Sequence, residues 1–176
     1  MATQEKVAAR LEELHKSGFE ITDGQPDITG WDIRTRSGKK AGDVDDLLFE
    51  PHSGKVRYII ADLDKNELDL DKNRRVLIPI GLAELYTKSD PSPRKQGVDP
   101  AFGGYEPAEH GNLVYIPSVS AQQLDLLPLY EKGRLSRHTE IAIRKILEPT
   151  DQDERGEDEF YKHGQFNEDR FYDREN

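Results

Sequence analysis

A chain of 176 residues with 34% hydrophobic and 34% charged side chains has room for one ordinary domain, and its polar excess indicates solvated segments outside a single core. A net charge of −10 without any basic run disfavours direct binding to nucleic acid, because phosphate binding requires clustered Lys and Arg. The lack of cysteine excludes disulfides and thiolate chemistry, and with no apolar stretch of roughly 18 residues we expect a cytoplasmic protein without a membrane span.

A short amphipathic helix is predicted at the N-terminus. Thr3 is a suitable N-cap, Leu11 and Leu14 recur at helical spacing, and Gly18 suits the helix C-terminus. Residues 1–25 are therefore expected to form a helix and a linker.

Short strands bounded by turn residues follow this helix. They are predicted over residues 28–35, 44–49, 56–63, 75–80, 82–86 and 113–117. Both faces of 56–63 are largely apolar, so this strand should be covered on both sides. Pro79 cannot donate to a ladder, which places its strand at an edge or a bend. The polar loop 87–112 is long enough to indicate function or mobility.

Two short helices are predicted after the strands. Residues 121–127 form a helical turn stopped by Pro128. Ser136 caps a second helix, whose apolar stripe includes Ile143 and Leu147 and which Pro149 ends.

The C-terminal tail is both acidic and aromatic. From residue 148 onward it has eleven Asp and Glu against four Lys and Arg, a net charge of −7. It also holds five of the chain's 14 aromatic residues, which are Phe160, Tyr161, Phe166, Phe171 and Tyr172. Because such rings favour burial, we expect the tail to dock on the barrel or on a neighbouring subunit and to mediate self-association.

No pattern of catalytic, metal-binding or cofactor-binding residues emerges. Calcium loops starting at Asp62 or Asp69 have neither the glycine at position six nor the glutamate at position twelve that such a loop needs. The five histidines are spread over the sequence, and no phosphate-binding glycine motif or nucleophile elbow occurs. We expect no enzyme activity and no cofactor, with a hydrolase using carboxylates from 62–71 as a third possibility behind two non-enzymatic functions.

Two residues can be interpreted either as structural residues or as residues that recognise a partner. Trp31, the only tryptophan, is more typical of a side chain that fills the core than of an exposed anchor for a partner. Arg57 fits a cross-strand pair with Asp45 or Asp46 better than a recognition pair with Tyr58.

One group of residues resembles the PRC-barrel family, which is named from the cytoplasmic domain of the photosynthetic reaction centre H subunit. The residues that carry the resemblance are Gly30, Trp31, Gly38, Gly42, Val44, Leu47, Val56, Arg57, Tyr58 and Pro79. The resemblance implies a mainly β fold, a small and strongly curved antiparallel β-barrel with short flanking helices, used as a platform for protein assembly. It carries over no catalytic residue, cofactor or metal ligand.

The expected organisation follows from this resemblance and from the tail. Residues 26–130 form the barrel domain with the long loop 87–112, 131–149 a C-terminal helix and 150–176 the tail. We expect a homo-oligomeric interaction module that docks an unidentified protein partner. The alternatives are a ribosome-maturation or RNA-processing factor that binds a ribosomal protein, and an accessory to an electron-transfer complex resembling the reaction centre H subunit.

Overall fold

The structure, a computed structural model, describes residues 11–17, 27–71, 73–87, 112–148 and 164–166. In these residues seven strands form one sheet: β1 Glu12–Glu13, β2 Asp32–Thr35, β3 Lys40–Glu50, β4 Lys55–Asp62, β5 Arg75–Pro79, β6 Glu84–Tyr86 and β7 Leu113–Ile116. The helices are α1 Leu14–Ser17, α2 Ala121–Leu126 and α3 Arg137–Leu147, with 3-10 turns at Ile80–Leu82 and Gly164–Phe166. The mainly β prediction is confirmed.

The long strand β3 organises the sheet. It pairs with β4 along one side and, along the other, with β2 near its start and with β1 near its end. The register of the β3–β4 ladder shifts twice, between Val44 and Asp46 and between Leu48 and Phe49. Such bulges bend a strand and increase its twist, which lets β3 reach two partners in turn on the same side.

The observed sheet differs from the predicted antiparallel barrel in two respects. The order is β5-β4-β3-β2-β7-β6, and β2 pairs with β7 in parallel, so the sheet is mixed and not antiparallel throughout. Parallel neighbours need a long crossover, and four other strands lie between β2 and β7 in the sequence. Most of the predicted loop 87–112 lies outside the described residues. No pairing between β5 and β6 exists among the described residues, so the sheet is not closed into a barrel by hydrogen bonds there.

Two glycines of the family-like pattern have a steric role. At Gly42 of β3, a Cβ atom would collide with the carbonyl of Asp62 in β4, so only glycine allows the two strands to approach this closely. Gly38, in the turn between β2 and β3, has a φ of 87°, which other residues rarely adopt. Its amide donates to the carbonyl of Thr35 and closes the turn.

A single main core underlies the sheet. Val44, Ile60 and Ile78 come from three adjacent strands and share that interior, as the strand pattern requires. From Tyr58 to Ala61 every residue of β4 is buried, which confirms the prediction of a strand covered on both sides. Trp31 is half-buried and packs against the core.

The edge strand β5 confirms the position expected for its proline. Pro79 is the last residue of β5 and lies opposite Tyr58 of β4. The free side of β5 is partly covered, because the carbonyl of Arg75 accepts a hydrogen bond from the amide of Tyr130 at 2.7 Å.

The N-terminal prediction needs a correction. Glu12 and Glu13 are extended and pair with Phe49 and Leu48 of β3, so no continuous helix runs through these positions. Ladder bonds to β3 replace helical ones here, and Leu14 is still buried in the core. Thr3 and Gly18 lie outside the described residues.

Both C-terminal helices begin at a serine cap, of which Ser136 was predicted and Ser120 was not. Ser120 and Gln123 form a reciprocal capping box on α2, and the Ser136 hydroxyl accepts the Thr139 amide on α3. The side chain of Gln123 also donates to the carbonyls of Ile146 and Leu147 at the end of α3, which fixes α2 against α3. None of the described helices has the length and apolar character that a membrane crossing requires.

Candidate interaction surface

Tyr58 lies at the centre of a buried polar contact between the sheet and α3. Its side chain is fully buried, and its hydroxyl donates to Glu140 Oε1 at 3.1 Å. Glu140 is itself buried, and its Oε2 lies 3.3 Å from Arg137 Nη1 one turn earlier on α3. Arg144, one turn further along, is also buried. The buried face of α3 therefore contains charged side chains as well as Ile143 and Leu147 of the predicted apolar stripe.

The C-terminal segment Gly164–Phe166 covers this contact. The Phe166 ring meets Tyr58 edge to face, with 5.2 Å between the centroids and 84° between the planes, and it is buried. The side chain of Gln165 is buried and donates to the carbonyl of Arg144 at 3.3 Å. The segment also packs against Ile80–Leu82. We call Tyr58, Ile80–Leu82 and the facing side of α3 the Tyr58 site.

The five aromatic residues predicted to mediate interaction divide into two groups. Phe166 occupies the Tyr58 site of its own chain. Outside the described residues lie the other four, Phe160, Tyr161, Phe171 and Tyr172.

Arg57 has a different partner from the one predicted. Its guanidinium donates to Glu50 Oε1 at 3.0 Å, whereas Asp45 contacts Arg75 and Asp46 contacts His15. The bulge between Leu48 and Phe49 shifts the register beside Arg57 and brings it to the end of β3. Simple strand alternation could not reveal that shift.

A second polar cluster joins the N-terminal segment to β3. His15 Nδ1 lies 3.0 Å from Oδ1 of the buried Asp46, and its Nε2 lies 3.5 Å from Asp27. The hydrogen bond with Asp46 raises the pKa of His15, and the two carboxylates together outweigh the opposing effect of burial. Burial alone would raise the pKa of Asp27, but bonds from Thr29 and the nearby His15 lower it. This cluster holds the segment 11–17 on the sheet.

The same region receives a bond from the C-terminal part of the chain. The Tyr130 hydroxyl donates to Glu13 Oε1 at 2.9 Å, and Lys132 Nζ lies 3.9 Å from the other oxygen of Glu13. Burial raises the pKa of Tyr130, and the hydrogen bond to Glu13 adds to the effect. Glu13 is buried, and its bond to Tyr130 links two parts of the chain that lie 117 positions apart.

A polar cleft of about 450 Å³ opens beside the β2–β3 turn. Its walls include Asp32, Arg34 and Glu67, and Arg34 lies 2.8 Å from Asp32 and 3.2 Å from Glu67. Lys40 next to it contacts both Asp32 and Asp43, and these carboxylates raise its pKa despite partial burial. Because opposite charges neutralise each other here, the cleft has no surplus charge of either sign.

The acidic stretch between β4 and β5 forms a structured turn around one amide side chain. Asn66 Nδ2 donates to the carbonyls of Leu63 and Leu70, while its Oδ1 accepts the amides of Leu68 and Leu70. Asp62 accepts the amide of Asp64. Among the described residues, no group of three or more His, Asp or Glu side chains is placed to hold a metal ion.

Two exposed leucines lie at the C-terminal end of α2 and just after it. Leu126 and Leu129 are 67% and 55% exposed, while Leu124 and Leu127 beside them are buried. Arg74 Nη2 donates to the Leu127 carbonyl at 2.7 Å, which holds the segment against β5. This exposed pair was not predicted from the sequence, although the large apolar side chains on both sides of Pro128 are a signal for it.

Comparison with known protein families finds a match for one part of the chain. Residues 21–90 match the family model of the PRC-barrel domain, which covers β2 to β6. No curated protein matches the chain. The matched segment contains the ten residues of the family-like pattern, from Gly30 to Pro79. The chain therefore contains a segment, residues 21–90, that is similar to the PRC-barrel domain.

Proposed function

We propose that this protein is a non-enzymatic assembly module of the PRC-barrel type, which docks a protein partner and associates with further copies of itself. The match of residues 21–90 to the PRC-barrel domain supports the general function of a protein-interaction platform. The polar clusters at His15, Tyr130 and Asn66 support it as well, because their contacts hold segments of the chain together.

The observation that carries the proposal is the exposed pair Leu126 and Leu129. A single exposed leucine is common on protein surfaces, whereas Leu126 and Leu129 expose two large apolar side chains within four residues. The segment is held by the capping box of α2, by Arg74 and by the amide of Tyr130. Because the segment is ordered before a partner binds, less conformational entropy is lost on binding. The exposed leucine pair is therefore suited to docking into an apolar pocket of a partner.

A double substitution tests this docking surface. The full chain and its Leu126→Lys/Leu129→Lys variant are each immobilised and exposed to native lysate, and the retained proteins are identified by mass spectrometry. His52→Lys/Ser53→Lys, in the exposed turn after β3, is the matched control, because it also introduces two lysines. We expect a protein retained by the native chain and the control but not by the Leu126→Lys/Leu129→Lys variant. Equal retention by all three would contradict docking through the two leucines.

Self-association is the second part of the proposal, and the aromatic tail supports it. Light scattering compares the full chain with a chain ending at Pro149 over a range of concentrations. We expect the full chain to be larger than a monomer and the shortened chain to be monomeric. Two equally monomeric chains would contradict association through the tail.

A further inference from the structure

The Tyr58 site has the features of a peptide-binding site that is already occupied. The occupant Gly164–Phe166 contributes one ring, which packs on Tyr58, and one amide, which donates to the carbonyl of Arg144. A buried aromatic anchor beside a main-chain bond is a common way of holding a short segment.

The charges around the site suit an acidic segment. α3 carries three cations, Arg137, Arg144 and Lys145, against the single carboxylate of Glu140. The tail that contains Phe166 has a net charge of −7. Opposite charges on the two elements favour their association and make it sensitive to salt.

The tail repeats the chemistry of its own docked residue. Phe166 is followed by Glu168 and Asp169, within three positions of the ring. Phe160 follows an Asp and a Glu directly, and Phe171 lies between two Asp residues at a distance of two on each side. The chain thus has three aromatic and acidic segments for one described site.

We propose that the Tyr58 site is a docking site for an aromatic residue flanked by acids, and that it takes such a segment either from its own tail or from the tail of a second copy. The inference rests on the proposed self-association, and it identifies the Tyr58 site as the surface that receives the tail. Fifteen residues separate Glu148 from Gly164. Fully extended, they span at most about 50 Å, which exceeds the diameter of a small domain, so the tail can reach a neighbour's site.

The test supplies the segment in trans to a full chain whose own anchor is removed. The chain carries Phe166→Ala, and a fluorescein-labelled peptide of residues 163–170 reports binding by anisotropy. The control peptide has alanine in place of Phe166. We expect saturable binding of the native peptide, at least about tenfold weaker binding of the control, and weaker binding to the native chain, whose site is filled. Added salt should weaken the binding.

Circular dichroism and Trp31 fluorescence establish that the Phe166→Ala chain is folded. A folded chain that does not distinguish the two peptides would overturn the proposal. If the alanine variant does not fold, the Phe166→Leu chain takes its place, and failure to discriminate between the peptides would again overturn it. Peptides 156–163 and 168–175 test the two other segments, which should bind the vacated site and compete with the labelled peptide.

The outcomes separate this inference from the proposed function. Peptide discrimination is read at the site itself, whereas self-association is read by light scattering and partner docking at Leu126 and Leu129. A native chain that stays monomeric but a Phe166→Ala chain that binds the peptide would refute self-association and support the docking site.

Discussion

Replacing Tyr58 by phenylalanine removes one hydroxyl and keeps the ring against which Phe166 packs. The lost bond joins a fully buried hydroxyl to a buried carboxylate, Glu140, over 3.1 Å. Hydrogen bonds to charged groups contribute about 1.5–3 kcal/mol, and Arg137 at 3.3 Å still neutralises part of the charge. We therefore expect the free energy of unfolding to fall by about 1.5–2 kcal/mol.

Urea unfolding followed by the fluorescence of Trp31 measures this loss, because Trp31 is the only tryptophan and packs against the core. For a chain of this size the melting temperature should fall by about 3–8 °C. Glu140→Gln and the double variant complete a cycle, in which we expect a coupling of about 1 kcal/mol between the two side chains. A Tyr58→Phe chain with unchanged stability would refute the assignment of this bond.

Three further predictions concern other parts of the fold. Gly42→Ala should lower the free energy of unfolding in urea by at least about 2 kcal/mol, because the added Cβ would collide with the Asp62 carbonyl. The control Gly54→Ala has open space around it and should lower this free energy by only about 1 kcal/mol, because of its positive φ. Equal losses for the two variants would contradict this prediction. Asn66→Asp replaces the amide donor by an oxygen beside two carbonyls, so the free energy of unfolding should fall by about 1–3 kcal/mol. The amides of Leu68 and Leu70 should also exchange their hydrogens faster, and unchanged exchange would refute the role of Asn66. Because the pKa of His15 is raised in the folded state, its contribution should be fully present below its unfolded pKa of 6.5 and be lost as the pH rises through the folded value. His15→Gln should therefore lower the melting temperature more at pH 6 than at pH 8.5. Because the His15 ring is half-exposed, the difference should correspond to well under about 1 kcal/mol. The same loss at both pH values would contradict the prediction.

The sequence predicted the features that depend on neighbouring residues. Gly38 and the turn residues 51–54 mark the ends of β3, and Ser136 marks the start of α3, because turns and caps need particular residue types. The strand boundaries deviate by a few residues. The first predicted strand is shortened to Asp32–Thr35, and part of the region before β6 is a 3-10 turn.

The features that the sequence did not reveal depend on distant residues. The parallel pairing of β2 with β7 joins segments about 80 positions apart, and nothing in either strand encodes a direction. Glu140 and Arg144 have the charged side chains of a solvated helix face, yet Tyr58 and the tail segment cover them. The bond between Glu13 and Tyr130 likewise spans 117 positions. A local pattern cannot report such contacts, because their energy comes from the assembled fold.

The docked position of Phe166 on Tyr58 is the central claim, and its most direct test is an NMR measurement on the full chain. With the two ring centroids 5.2 Å apart, we expect nuclear Overhauser effects between their ring protons and ring-current shifts of the Phe166 signals. The Phe166→Leu chain should lose those effects and keep the Tyr58 signals dispersed. Phe166 signals at the positions of an unstructured peptide, without any contact to Tyr58, would contradict the account.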